Sequence, residues 1–97
     1  MNEAKQQRRA DAVRQQLTDA LDASRIEIKD VTQRHRRHAE AKDGRAHFEV
    51  VVVSERFAAL PTLRRHRLVY DALDQMMNTD IHSLSIKALT PGEDSDQ

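Results

Sequence analysis

Residues 47–91 read HFEVVVVSERFAALPTLRRHRLVYDALDQMMNTDIHSLSIKALTP, and this stretch decides the fold. Residues 47–54 are a strand, because four consecutive valines are stiff at χ1 and pack well on a pleated sheet. Val51 and Val53 occupy the face opposite Phe48, Val50 and Val52, and two apolar faces mark a central strand or one partly covered on each side. Pro61 suits the first turn of a helix over residues 61–77, whose apolar stripe is Val69, Ala72, Leu73 and Met76, broadened by Leu68 and Met77. Residues 81–89 are a second strand. Its alternation puts His82, Leu84, Ile86 and Ala88 on one face and Ile81, Ser83, Ser85 and Lys87 on the other. Pro91 and Gly92 stop it, and the acidic tail after them reads as frayed.

Upstream, Ala10, Val13, Leu17, Ala20 and Leu21 form one stripe of a helix over residues 3–21, with Asn2 as its cap. Residues 25–31, RIEIKDV, alternate charged and apolar and predict a half-buried strand. Residues 32–46, TQRHRRHAEAKDGRA, lack apolar periodicity and form a long exposed loop that turns at Gly44. The order α–β–β–α–β lets the first two strands pair as a hairpin and the last two as a right-handed parallel crossover. The expected architecture is α+β: a three-stranded mixed sheet with helices packed on one face. It forms a single domain over residues 1–97, with flexible ends at residues 1–2 and 92–97.

Composition narrows the function. Lys+Arg and Asp+Glu both number 16, so net charge names no partner. The absence of Cys removes disulfides, thiolate metal sites and a Cys nucleophile. Two glycines leave no phosphate-cradling loop, and no nucleophile or zinc-protease motif occurs, so the chain is not expected to be an enzyme. The N-terminus lacks a signal-peptide core and no segment is long enough to span a bilayer, so a cytoplasmic location and no membrane partner are expected.

Three features can carry chemistry. Arg64, Arg65, His66 and Arg67 crowd positive charge into a helix start, against the helix dipole. They are either a solvated face paired with acids such as Glu55, or a site for nucleic-acid phosphate, a glutathione-like ligand or an acidic protein surface. His35 and His38 stand among arginines in the long loop, a weak metal signal by themselves. His82 opens the last strand. It is either a half-buried histidine satisfied by the backbone or a ligand at the sheet edge, reached from the loop. His47 and His66 read as structural or surface residues rather than ligands.

His47-Phe48, Val52-Val53-Ser54, Phe57, Arg65-His66-Arg67-Leu68-Val69-Tyr70, Leu73, Ile81-His82-Ser83-Leu84-Ser85-Ile86 and Thr90-Pro91 together resemble the BolA family, in order and in spacing. The resemblance implies a fold like the type II KH domain. It also implies partnership with a monothiol glutaredoxin and a shared [2Fe–2S] cluster, in iron–sulfur trafficking or in iron and stress signalling. The alternative it implies is a DNA-binding regulator of stress response and cell shape. By the same resemblance the cluster ligands are His82 and His35, with His38 as the alternative loop ligand. A glutaredoxin cysteine and a glutathione thiol complete the set, so no cofactor is expected on the protein alone, as a monomer or weak homodimer. Imidazole ligands in place of thiolates raise a cluster's potential, and they must be deprotonated to bind. Arg64, Arg65, His66 and Arg67 become a partner-facing or DNA-facing edge beside His82.

This sequence departs from the family pattern in places. Ala59 stands where Gly is frequent, and since Ala tolerates a positive φ poorly, the turn is expected to differ. The loop holding His35 is longer than in several members, and Asp94 replaces a frequent aromatic, so a loose C-terminal segment is expected. The GxxG loop of true KH domains is absent, which argues against KH-style RNA binding.

Overall fold

The computed structural model describes residues 2–32 and 46–95. Helix α1 spans Asn2–Leu21, strand β1 Arg25–Asp30 and strand β2 Ala46–Val53. A 3-10 turn at Glu55–Phe57 leads to α2, Thr62–Ala72, and α3, Asp74–Thr79. Strand β3, Ile81–Leu89, and a short α4, Pro91–Ser95, complete the described chain. No helix among these residues is long and apolar enough to cross a membrane.

The sheet order is β1-β2-β3, antiparallel between β1 and β2 and parallel between β2 and β3. The valine-rich strand is therefore central, as its two apolar faces predict. Val13, Leu17 and Leu21 of α1, Val69 of α2, Leu73 at the junction of α2 and α3, and Met76 of α3 bury themselves against Ile26, Phe48, Val50, Val52 and Leu84. Glu27, Lys29, Ser83, Ser85 and Lys87 are exposed on the other face. Ala20, placed in the helix stripe by spacing, is exposed. Asp22 ends α1 in the left-handed region (φ 52), its N–H bonded to Thr18 O at 3.0 Å, an αL stop made without glycine.

The single long helix expected over residues 61–77 is two. Leu73 leaves the helical region at φ −108, ψ 16, and its N–H is shared between Val69 O and Tyr70 O at 3.2 and 3.1 Å. No proline or glycine causes this break.

Strand β3 also departs from simple alternation. Ala46 pairs with Ile81, but His47 pairs with Ser83, so His82 is the extra residue of a β-bulge. The bulge restores Ile81, fully buried, to the core side with Leu84. His82 thus does not begin the inward-facing row; it stands half-buried at the irregularity.

Of the tail expected to fray, residues 92–95 instead fold back as part of α4. Thr90-Pro91-Gly92-Glu93 is a capping box with Pro at the first helical position. Thr90 N donates to Glu93 carboxylate at 2.8 Å and Glu93 N donates to Thr90 Oγ1 at 3.2 Å. Two arginines clamp the turn. Arg65 Nη1 meets Glu93 Oε1 at 2.6 Å, and Arg25 Nε meets Asp94 Oδ2 at 3.0 Å. Asp94, which replaces the frequent aromatic, thereby ties α4 to β1 by charge.

Hydrogen bonding from Arg65, and then from the Thr90 backbone, lowers the Glu93 pKa from 4.5 to about 2. A carboxylate with a depressed folded pKa contributes stability above its unfolded pKa and loses it as pH falls through the folded value. The α4 clamp is therefore expected to open between about pH 4.5 and 2. The Thr90 amide resonance reports the opening, and Glu93→Gln removes that titration.

Ala59 takes φ 65, so the turn keeps the left-handed geometry that glycine favours rather than changing shape. A non-glycine residue there costs about 1–2 kcal/mol. Ala59→Gly is expected to recover roughly 1 kcal/mol of this, because the more flexible unfolded chain offsets part. Thermal unfolding should show a rise of about 4–8 °C.

Candidate functional site

The end of β1 and the starts of β2 and β3 lie at one edge of the sheet, because β1 runs antiparallel to β2 and β3 runs parallel to it. The segment joining β1 to β2 must begin and end there. Its flanks are fixed by backbone bonds: Val31 N to His47 O at 2.8 Å, and Ala46 N to Asp80 O at 2.8 Å. His47 N donates to Thr32 Oγ1 at 3.1 Å, and Thr32 N donates to the Asp30 carboxylate at 2.9 Å. Helix α1 closes the same edge, with Gln6 Nε2 reaching Thr32 Oγ1 at 3.4 Å and Arg9 Nε 3.5 Å from Asp80 Oδ1. His35 and His38 lie outside the described residues. Asp80, which accepts from the Ala46 flank, precedes His82 by two residues, and Ala46 adjoins His47, the strand partner of Ser83.

The structure brings His82 together with a residue that sequence reasoning set aside. The His47 ring is 1% exposed, and its centroid lies 5.1 Å from that of His82 with the planes tilted by 51°. His47 Nδ1 shares a hydrogen bond with Ser83 Oγ at 2.7 Å. The signal for this pair was parallel pairing of the two strands, which sets both histidines at their starts. Among the described residues no three His, Cys, Asp or Glu side chains gather as a metal site.

The basic cluster does not behave as a unit. Arg64 and Arg67 are exposed and His66 is half-buried. Arg65 is turned inward. Its Nε donates to Leu60 O at 2.8 Å, its Nη1 to Ala88 O at 3.1 Å, and both terminal nitrogens reach Glu93. The acid that partners it is Glu93, not Glu55. Leu63, 69% exposed, and Tyr70, 39% exposed, each lie about one turn from Arg67 on the same helix.

Nor does this cluster sit beside His82. Arg65 bonds Ala88, six residues further along β3, about 20 Å away at ~3.3 Å per residue. The histidine edge and the basic helix start are separate surfaces at opposite ends of one strand.

Comparison with known proteins agrees on one family. The family model described as BolA-like protein matches residues 17–93. Protein BOLA1, chloroplastic, of Arabidopsis thaliana is 39% identical over 88% of this chain and 55% of its own length. SufE-like protein 1, chloroplastic/mitochondrial, of the same plant is 37% identical over 84% of this chain and 23% of its own. The chain thus spans about half, or less, of the length of these curated relatives. The DNA-binding transcriptional regulator BolA of Escherichia coli is 32% identical over 80% of this chain and 71% of its own. Among solved structures, the BolA domain of SufE1 from Arabidopsis thaliana superposes with a TM-score of 0.78 at 38% identity, covering 88% of this chain and 94% of that one.

Proposed function

This chain belongs to the BolA-like protein family, and from that premise we propose that it is an adaptor sharing a [2Fe–2S] cluster with a monothiol glutaredoxin. The observation that carries the reading is the placement of the β1–β2 segment, whose two flanks are bonded into the sheet edge where His82 stands. That placement favours His82 as one ligand, with His35 or His38 as the second. The donor set fits a shared group rather than a private one. Imidazoles from this chain fill two of the four positions of a [2Fe–2S] cluster, and the chain has no Cys to fill the others. A glutaredoxin cysteine and a glutathione thiol would supply the remaining thiolates. When bound, such a cluster would carry less negative charge and a higher potential than one held by four thiolates.

The test is to mix the protein with a monothiol glutaredoxin, glutathione, iron and sulfide. The expected result is a visible circular-dichroism spectrum distinct from that of the cluster-loaded glutaredoxin alone. A spectrum identical to that of the glutaredoxin alone would sink the reading.

A second reading, a DNA-binding regulator, draws support from the Escherichia coli relative, a DNA-binding transcriptional regulator, and from the exposure of Arg64 and Arg67. It requires DNA affinity that falls with salt and weakens when those two arginines become alanine. Affinity that ignores both substitutions would remove this surface from consideration.

A further inference from the structure

We infer that His47 is the positioning residue for the His82 imidazole, and that Ser83 locks it. The consequence for a cluster rests on the function proposed above; the orientation of the ring does not. His82 is the extra residue of the bulge, so the regular strand ladder does not dictate where its side chain points. A ligand ring must be held to within about 0.5 Å and 10–20° to serve a defined geometry, so a neighbouring group has to fix it.

His47 has the properties of that group. Its backbone is bonded on both sides, N–H to Thr32 Oγ1 and C=O to Val31 N–H. Its ring is buried and tied across the strands to Ser83 Oγ at 2.7 Å. The His82 ring leans on it at 5.1 Å with a tilt of 51°, within the range of a tilted aromatic contact. His82 is half-buried, and its ring meets this wall. The residue after the bulge therefore fixes the wall, and the wall fixes the bulged ring.

The test uses His47→Phe, His47→Ala and Ser83→Ala in the full chain. The first readout is the χ1 rotamer of His82 in the protein alone, from side-chain couplings and ring NOEs. Wild type is expected to show one rotamer, and His47→Phe, which keeps a ring as the wall but loses the bond to Ser83, is expected to average no more than Ser83→Ala. His47→Ala is expected to average between rotamers. Ser83→Ala, an exposed position whose change leaves the core intact, is expected to loosen both rings. The second readout is the visible circular dichroism with glutaredoxin, expected to weaken in His47→Ala and to weaken no further in His47→Phe than in Ser83→Ala. A single unchanged His82 rotamer in Ser83→Ala and His47→Ala would overturn the inference. Loss of the cluster spectrum in His47→Phe while Ser83→Ala keeps it would overturn it differently, by making His47 itself a donor. If the wild type forms no cluster, the proposed function fails while the rotamer readout still decides the role of His47.

Discussion

Arg65→Ala is expected to destabilise the protein by about 2–3 kcal/mol and to lower the melting temperature by roughly 10–20 °C. Three segments depend on this one guanidinium. It closes the turn after the 3-10 segment through Leu60 O, the free edge of β3 through Ala88 O, and α4 through Glu93. Removing it leaves two part-buried carbonyls without a charged donor, which is the larger share of the cost. The Glu93 pair adds little by itself because that carboxylate faces solvent. Arg65→Lys is expected to recover less than half of the loss, since a point charge cannot span the two carbonyls and the carboxylate that a planar fork reaches together. Arg64→Ala and Arg67→Ala, both exposed, are expected to change stability by less than about 0.5 kcal/mol. Urea or thermal denaturation of the four variants checks the ordering; equal effects at positions 64 and 65 would contradict it.

The second large effect falls on assembly. His82→Ala is expected to abolish the visible circular-dichroism change on mixing with glutaredoxin, while the protein alone keeps its fold. A cluster that draws two of its four ligands from this chain loses one outright, and no Cys is present to replace it. His82→Cys should restore a cluster with a lower potential, because a thiolate adds the negative charge that imidazole lacks. Only one of His35→Ala and His38→Ala is expected to match His82→Ala in severity, which assigns the loop ligand. If His82→Ala assembles the same spectrum as wild type, the site is elsewhere.

The sheet was readable from pattern because each strand carries a simple period. Four valines force the central strand, and Arg25–Asp30 alternates cleanly. What the pattern misplaced depends on interactions between segments distant in sequence. The bulge at His82 arises where Ala46 and His47 meet Ile81 and Ser83 across strands, so period-2 counting within β3 could not register it. The helix-start arginines look equivalent in sequence, and the bonds from Arg65 to Leu60, Ala88 and Glu93 separate it from its neighbours. By contrast, the α4 capping box was present in the string Thr90-Pro91-Gly92-Glu93 and was masked by taking Pro and Gly as stop signals. Ala59 marks the limit of residue preference: the surrounding turn imposes φ 65 although alanine resists it. The candidate site was legible in its residue types, and His82 was legible as a singular residue. Its partner His47 was not, because its importance comes from register, and the separation of about 20 Å between histidine edge and basic helix start needed the strand direction.

Native mass spectrometry of this protein mixed anaerobically with a monothiol glutaredoxin, glutathione, iron and sulfide tests the proposed sharing most directly. The expected species holds one copy of each chain, two irons, two sulfides and one glutathione, and it is absent when His82→Ala replaces the wild type. A mixture containing only cluster-loaded glutaredoxin homodimer and free, metal-free chain would contradict the account.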